Sequence, residues 1–254
     1  MTMTARAMTA AASKVWLAGI DGCPGGWLVI LIEPDGDACE IAFHREIADA
    51  LRMPQQPAVI AIDMPIGLPE RGGIGGRAAE NAIRPLLGAR QSSVFSVPPR
   101  AAVEAETYAD ACVRAFAASD PPRKVSKQLF NIAPKIRALD AVLRNDASLR
   151  DRCYEVHPEL AFWRLNGERA LTQPKKIKSR PHPAGLAQRR AILAAAGVPA
   201  AVLDAVPPGT AQPDDLLDAA ACAAIARRIH RGSAQPFPDP PPKDAYGLPM
   251  AIWA

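Results

Sequence analysis

Carboxylates recur at the ends of apolar segments in this chain, and that placement is the main indication of its chemistry. Asp21 ends an apolar segment that begins at Val15, and Asp63 ends a second one that begins at Ala58. A carboxylate at the tip of a buried strand loses hydration, which is costly unless a partner compensates it. The usual partner is a metal ion or another cation. A plain hairpin turn capped by Asp21 is the alternative interpretation of this first segment.

Three further acids extend the set. Glu155 lies within a short predicted strand, and Asp215 and Asp218 lie near the start of a predicted helix. Asp218 shares a helix face with apolar residues at i+4, i+7 and i+11, so it also needs a partner. Oxygen ligands suit Mg²⁺ or Mn²⁺, and two such ions about 3.5–4 Å apart drive in-line attack at phosphorus. The predicted metal ligands and catalytic residues are therefore Asp21, Asp63, Glu155 and Asp215 or Asp218.

The order of the apolar segments predicts how these acids are positioned. Strands are predicted at 15–20, 27–32, 39–43 and 58–63. Turn residues separate the first three, which indicates an antiparallel meander. A short predicted helix then leads to the fourth strand, which must lie parallel to the first. Because the carboxyl ends of neighbouring parallel strands meet at one edge of a sheet, Asp21 and Asp63 are expected to converge.

The rest of the chain is predicted to be mostly helical. The glycine run at 72–76 lacks the Gly-Lys-Ser/Thr ending of a phosphate loop, so we expect a lid or hinge there. Ser126 and Asp214 are the expected N-caps of two helices. Helices are predicted at 101–119, 126–145, 199–205 and 213–231, with others ending at 166 and 197, and the final segment 236–254 is predicted to be an edge strand or packing strap.

One domain is expected. We predict that residues 1–13 form a disordered tail and that residues 14–254 form a single domain. Within it, a helical insertion is expected at about 71–150 and a basic and helical segment at about 166–210.

Composition and charge limit the class of function. The 254 residues are 49% hydrophobic and 22% charged, which is typical of a soluble globular protein. The net charge of +4 permits a polyanionic partner but is too small to predict one. The five cysteines include no C-x-x-C pair, so we expect neither a disulfide framework nor a zinc site, and a reducing cytoplasm fits best. Neither a signal peptide nor a spanning segment is predicted, so no membrane partner is expected.

Several basic and polar residues are placed where a loop or helix could meet phosphate groups. The run 173–190 is the densest basic segment of the chain. A solvated loop or helix face is the alternative for all of these residues. His157 is a candidate ligand or base, although a lone His beside a Pro is more often structural. The predicted substrate-binding residues are Arg90, Ser92, Ser93, Lys135, Lys175 and Lys176.

Seven segments together resemble a known family. The segments GIDGCPGGW, IDMPIGLP, LGARQSSVF, SKQLFNIAPKI, YEVHPELAF, PKK and DDLLDAAA are similar, in this order, to the predicted RNase H-like nuclease family called domain of unknown function 429. The resemblance spans about residues 15–231. It implies an α/β, ribonuclease H-like fold with a five-stranded mixed sheet, in which an antiparallel meander precedes parallel strands, and with helical insertions. The family commonly carries Asp in the helix after the glycine loop, where this chain has Glu80.

The leading hypothesis is a nuclease that uses divalent metal ions to hydrolyse phosphodiester bonds of DNA or RNA. Asp21 would bridge two ions, and Asp63 and one of Asp215 or Asp218 would each hold one. Glu155 would bind or orient the attacking water.

Two alternatives remain open. The first is a catalytically inactive RNase H-like protein that binds nucleic acid or assembles with partners, with the carboxylates paired to Arg71, Arg77 or Arg90. The second is an actin-like small-molecule phosphotransferase, which also starts with an acid-tipped strand and a hairpin. A second phosphate loop and an adenosine pocket are not visible in the sequence.

Overall fold

A five-stranded mixed sheet forms the centre of the computed structural model, which describes residues 14–178 and 180–254. The expected tail at residues 1–13 lies outside the described residues. The strands are β1 (Leu17–Cys23), β2 (Gly26–Ile32), β3 (Cys39–His44), β4 (Val59–Asp63) and β5 (Cys153–Glu155). Their order across the sheet is β3-β2-β1-β4-β5, with β1 to β3 antiparallel and with β4 and β5 parallel to β1. The predicted fold class is confirmed: an antiparallel meander precedes the parallel strands, consistent with an RNase H-like fold.

Helices cover both faces of the sheet. Before β5 they are α1 (Ile47–Leu51), α2 (Ala78–Ile83), a 3₁₀ helix (Arg84–Ser93), α3 (Arg100–Val103), α4 (Tyr108–Ala117), α5 (Lys127–Asn145) and α6 (Ala147–Arg150). After β5 they are α7 (Pro158–Leu165), α8 (Pro183–Ala195), α9 (Ala200–Leu203) and α10 (Pro213–His230). Within the described ranges, no helix is both long and apolar enough to cross a membrane.

Two of the predicted helix boundaries have clear local causes. Ser126 caps α5 as predicted, since its Oγ accepts a hydrogen bond from the backbone N–H of Leu129 at 3.2 Å. The single helix predicted at 101–119 is instead divided into α3 and α4. Thr107 begins the second of these, because its Oγ1 accepts from the backbone N–H of Asp110. A hydroxyl that caps a new helix competes with continuation of the old one.

Two short hairpins complete the structure. They are β6 (Lys176–Ile177) with β7 (Arg180–Pro181), and β8 (Pro236–Phe237) with β9 (Ile252–Trp253). The final segment therefore pairs with itself rather than with the edge of the main sheet. It still packs on that sheet, because the rings of Trp253 and Tyr154 lie 5.2 Å apart.

Helix α10 packs directly against the backbone of β1. A Cβ added at Gly19 would lie 2.1 Å from the carbonyl oxygen of Ala219 and 2.2 Å from the backbone nitrogen of Ala223. Any residue larger than glycine would therefore push the helix away from the strand. Because Asp218 immediately precedes Ala219, this close approach brings Asp218 beside the end of β1.

Alternation along the strands divides the interior into two cores. Ala61 of β4 belongs to the core that contains α10, whereas Ile62 belongs to the core that contains α5. Successive side chains of a strand point to opposite faces, so Asp63 lies on the α10 side of the sheet. Asp21 is its direct register partner in β1 and shares that side.

Candidate metal centre

Three of the predicted acids meet where β1 and β4 end. Asp21 and Asp63 come from the paired strands, and Asp218 comes from the second turn of α10. One carboxylate oxygen from each residue lies within 4.8 Å of the others. Asp21 and Asp218 are buried, whereas Asp63 is partly exposed. We call these three residues the carboxylate triad.

Burial and mutual repulsion raise the pKa values of the triad. The pKa of Asp21 lies well above its usual value because of burial, with further contributions from the charges of Asp63 and Asp218. Burial and the charge of Asp218 raise the pKa of Asp63 to about 7. Burial also raises the pKa of Asp218, although the ammonium of Lys175 opposes that rise. Three carboxylates held this close favour a cation in their midst.

Asp218 has one oxygen that contacts a cation and one that does not. Its Oδ2 contacts the Nζ atom of Lys175, while its Oδ1 is buried without a hydrogen-bond partner in the described part of the chain. A buried oxygen left unpaired costs free energy, and an oxygen-seeking divalent ion would satisfy it. The triad therefore fits a hard divalent cation such as Mg²⁺ or Mn²⁺.

The two lysines predicted to contact phosphate lie against acids of α10. Lys175 contacts Asp218, and Nζ of Lys176 lies 2.7 Å from Oδ2 of Asp214. Asp214 is not the N-cap that the sequence predicts, because Gln212 holds that position. It is instead buried, one turn before Asp218. The i, i+4 spacing of the two acids is the signal that could have identified Asp214.

Glu155 is not brought into the triad, and the register of the sheet explains why. It pairs with Ile62 rather than with Asp63, so it starts on the opposite side of β4. Its oxygens accept hydrogen bonds from the guanidinium of Arg77, which also contacts Glu80, and from the backbone N–H of Ile66 at 2.7 Å. Burial raises the pKa of Glu155 to about 7, against the opposing effect of Arg77. Glu155 therefore has a structural cation partner already.

Asp215 is also placed outside the triad. Its Oδ2 accepts a hydrogen bond from the backbone N–H of Gln212 at 2.8 Å, which satisfies one of the free donors at the start of α10. Of the two acids that the sequence left open, the structure brings Asp218 to Asp21 and Asp63.

Two of the remaining predicted substrate-binding residues, Lys135 and Ser93, donate hydrogen bonds to backbone carbonyls of the protein. Nζ of Lys135 donates to the carbonyl of Gly26 at 2.5 Å and lies 4.2 Å from the ring centroid of Trp27, so it fastens the β1–β2 hairpin. In the 3₁₀ helix, Ser93 donates to the carbonyl of Arg90 at 2.8 Å.

A cavity of about 290 Å³ opens beside the triad. Asp21, Asp63 and Lys175 line it together with Ser93 and His157. Burial lowers the pKa of His157 to about 4, so its imidazole is neutral at neutral pH. Glu80 and Glu155, which are both paired with Arg77, also line the cavity. The cavity therefore combines the negative triad and one ammonium with two acids that already have a cation partner.

A second concave surface adjoins this cavity. It has a volume of about 490 Å³, and Val94, Phe95 and Val97 line both. Ser92 and the exposed Arg123 and Lys124 line this surface, which we call the basic groove. The glycine run also lines it and is tied to the end of α4, because the backbone N–H of Gly72 donates to the carbonyl of Ala118 at 2.9 Å.

Comparison with known proteins identifies a family but no activity. The comparison with curated proteins and the comparison with solved structures each gave no match. A family model described as "Protein of unknown function (DUF429)" matches residues 19–243, which is most of the chain. The chain therefore belongs to the DUF429 family.

Proposed function

We propose that this protein is a nuclease that hydrolyses phosphodiester bonds of nucleic acid with the help of Mg²⁺ or Mn²⁺. The observation that carries the proposal is the carboxylate triad, whose three oxygens lie within 4.8 Å of one another beside a cavity. The unpaired buried oxygen of Asp218 supports a cation at this position. The sheet order, consistent with an RNase H-like fold, supports phosphodiester chemistry, because such carboxylate clusters activate water at phosphorus.

Each element of the site has a separate role in this proposal. Asp21, Asp63 and Asp218 would hold the ion, which when bound polarises a phosphoryl oxygen and lowers the pKa of a water molecule. Lys175 faces the same cavity and would neutralise charge on the phosphate. His157 is neutral and adds no charge to the cavity wall. The attraction for a phosphate would therefore come from the bound ion and Lys175. The Arg77–Glu155 pair holds the end of β5 in place.

The basic groove is the proposed path of the nucleic acid as it leaves the cavity. Arg123 and Lys124 are exposed there, and neither makes an ion pair with another described residue. Lys135 and Lys176, in contrast, already contact groups of the protein. Exposed cations contribute phosphate contacts that are independent of base sequence.

The test is a cleavage assay with the full-length protein. Single-stranded, duplex and branched DNA and RNA would be incubated with Mg²⁺, Mn²⁺ or EDTA. We expect metal-dependent cleavage of at least one substrate, and we expect Asp21→Asn to abolish it. Cleavage that persists in EDTA, or none with any substrate, would contradict the proposal.

A second candidate is an inactive protein that binds nucleic acid through the same fold. The contacts of Arg77 with Glu155 and of Lys175 with Asp218 favour it, since both acids already have a cation partner. Titration with Mn²⁺ separates the two candidates, because a binder whose acids are permanently paired would not take up the ion.

A further inference from the structure

The ammonium of Lys175 lies against the carboxylate triad. Its ammonium contacts Oδ2 of Asp218, and the charges of Asp21 and Asp63 also act on it. Its position is set by the backbone, because its carbonyl accepts a hydrogen bond from the backbone N–H of His182 at 2.9 Å. The side chain is 34% exposed and reaches the cavity from the start of the β6–β7 hairpin.

Too few carboxylates remain for two divalent ions. Glu155 is held by Arg77, Asp215 caps the start of α10, and Asp214, 3.9 Å from Nζ of Lys175, is not among the converging carboxylates. Among the described residues, three carboxylates therefore converge at this point. Their three negative charges are balanced by one divalent ion together with one ammonium. Two divalent ions with the ammonium would leave an excess of two positive charges at a partly desolvated site, which is unfavourable.

We propose that the triad binds a single divalent ion and that Lys175 supplies the second positive charge of the site. This inference rests on the proposed function. In it, Asp21, Asp63 and Asp218 would hold the ion while the ammonium stays beside Asp218. Lys175 lines the cavity and would offer its positive charge to a phosphate that enters it.

The test is calorimetric titration of metal-free, full-length protein with Mn²⁺ in the absence of nucleic acid. We expect the wild-type protein to bind one ion. Lys175→Met removes the competing positive charge, so it should bind the first ion about tenfold more tightly or bind a second ion. Lys175→Arg keeps the charge and should bind one ion with an affinity close to that of the wild type.

Lys176→Met is the matched control. It removes the neighbouring ammonium, which contacts Asp214 rather than the triad, and should change the Mn²⁺ affinity less than threefold. Two ions bound by the wild type, or unchanged binding by Lys175→Met, would overturn the inference and leave the proposed nuclease intact. Absence of Mn²⁺ binding in the wild type and in Lys175→Met would overturn the metal centre itself, and with it the proposed function.

Discussion

The guanidinium of Arg77 contacts both carboxylate oxygens of Glu155, with Nη2 2.5 Å from Oε1 and Nη1 3.0 Å from Oε2. Both side chains are buried, and Nη2 also lies 2.6 Å from Oε1 of Glu80. The same guanidinium donates to the carbonyl groups of Ile66 and Gly67, which follow β4. One cation therefore joins the end of β5, the segment after β4 and the start of α2.

Replacing Arg77 with Met should strongly destabilise the protein. The change leaves Glu80 and Glu155 buried without their cation, and breaking a buried ion pair in this way costs about 3–5 kcal/mol. Thermal unfolding should show a fall in Tm of about 10 °C, since 1 kcal/mol corresponds to roughly 2–4 °C at this size. Arg52→Ala is the control, because it breaks an exposed pair with Asp146 and should shift the Tm by at most about 3 °C. Equal effects of the two variants would show that the Arg77 pair is not structural.

Asp21→Asn should leave the metal-free protein as stable as the wild type, or more stable. Burial and the neighbouring acids raise the pKa of Asp21, so its carboxylate form is unfavourable in the metal-free protein. Asn is a neutral group of nearly the same volume, and removal of this unfavourable carboxylate offsets any loss of contacts. Added Mn²⁺ should raise the Tm of the wild type by ligand linkage and leave that of Asp21→Asn almost unchanged. Both effects are measured by thermal unfolding with EDTA or Mn²⁺. If the free energy of unfolding of the metal-free variant is lower than that of the wild type by several kcal/mol, Asp21 has a structural role instead.

The sequence was sufficient to predict the sheet and two strand-borne acids, because long apolar segments end at Asp21 and Asp63. The sequence could not predict that Glu155 lies outside the triad. That depends on pairing of β5 with Ile62 rather than Asp63, and a shift of one residue moves a side chain to the other face. The position of Asp218 against β1 likewise depends on Gly19, because only a residue without a Cβ lets α10 pack so close to the strand. The sequence alone does not show that α10 packs there.

Local contacts account for the other differences. Nothing in the spacing of Asp214, Asp215 and Asp218 shows that Gln212 takes the N-cap and that Asp215 turns back to its N–H. The lysines at 175 and 176 have the composition of a phosphate-binding run, and only the folded hairpin shows that they contact Asp218 and Asp214. Contacts between residues so distant in sequence are set by tertiary structure.

The stability of the metal-free protein should fall as the pH rises from about 4 to about 7. In the folded state the pKa of Asp63 is raised to about 7 by burial and by Asp218, whereas an Asp in an unfolded chain has a pKa of about 4. Between these values the folded state holds a proton that the unfolded chain has released, so the free energy of unfolding decreases with rising pH. Glu155 contributes in the same direction, since its pKa is also raised to about 7 by burial.

The measurement is thermal unfolding in EDTA at about pH 5 and about pH 7.5, which lie inside and above this window. The Tm of Asp63→Asn should fall by a few degrees less than that of the wild type between these two pH values. The reason is that the variant lacks one of the carboxylates that hold a proton in the folded state. Mn²⁺ in place of EDTA should also reduce the fall, since the ion binds the deprotonated triad. Asp35→Asn is the control, as that side chain is 84% exposed. If Asp63→Asn and Asp35→Asn leave the same pH dependence, the Asp63 carboxylate is not protonated in the folded state.

Replacing Arg123 and Lys124 together with Ala should weaken the binding of single-stranded DNA. Both residues are exposed in the basic groove, whose residues Val94, Phe95 and Val97 also line the cavity. If each contacts a phosphate, the slope of log K against log salt should fall in magnitude by about 1–2, and the loss of affinity should be similar for different base sequences. Fluorescence anisotropy with a labelled oligonucleotide in EDTA, over a series of salt concentrations, measures binding without cleavage.

The double variant Arg45→Ala with Arg52→Ala removes two exposed cations near α1 and should keep the wild-type slope. A wild-type slope in the Arg123 and Lys124 variant would place the path of the nucleic acid outside the groove, because phosphate contacts cannot be lost without releasing fewer counterions.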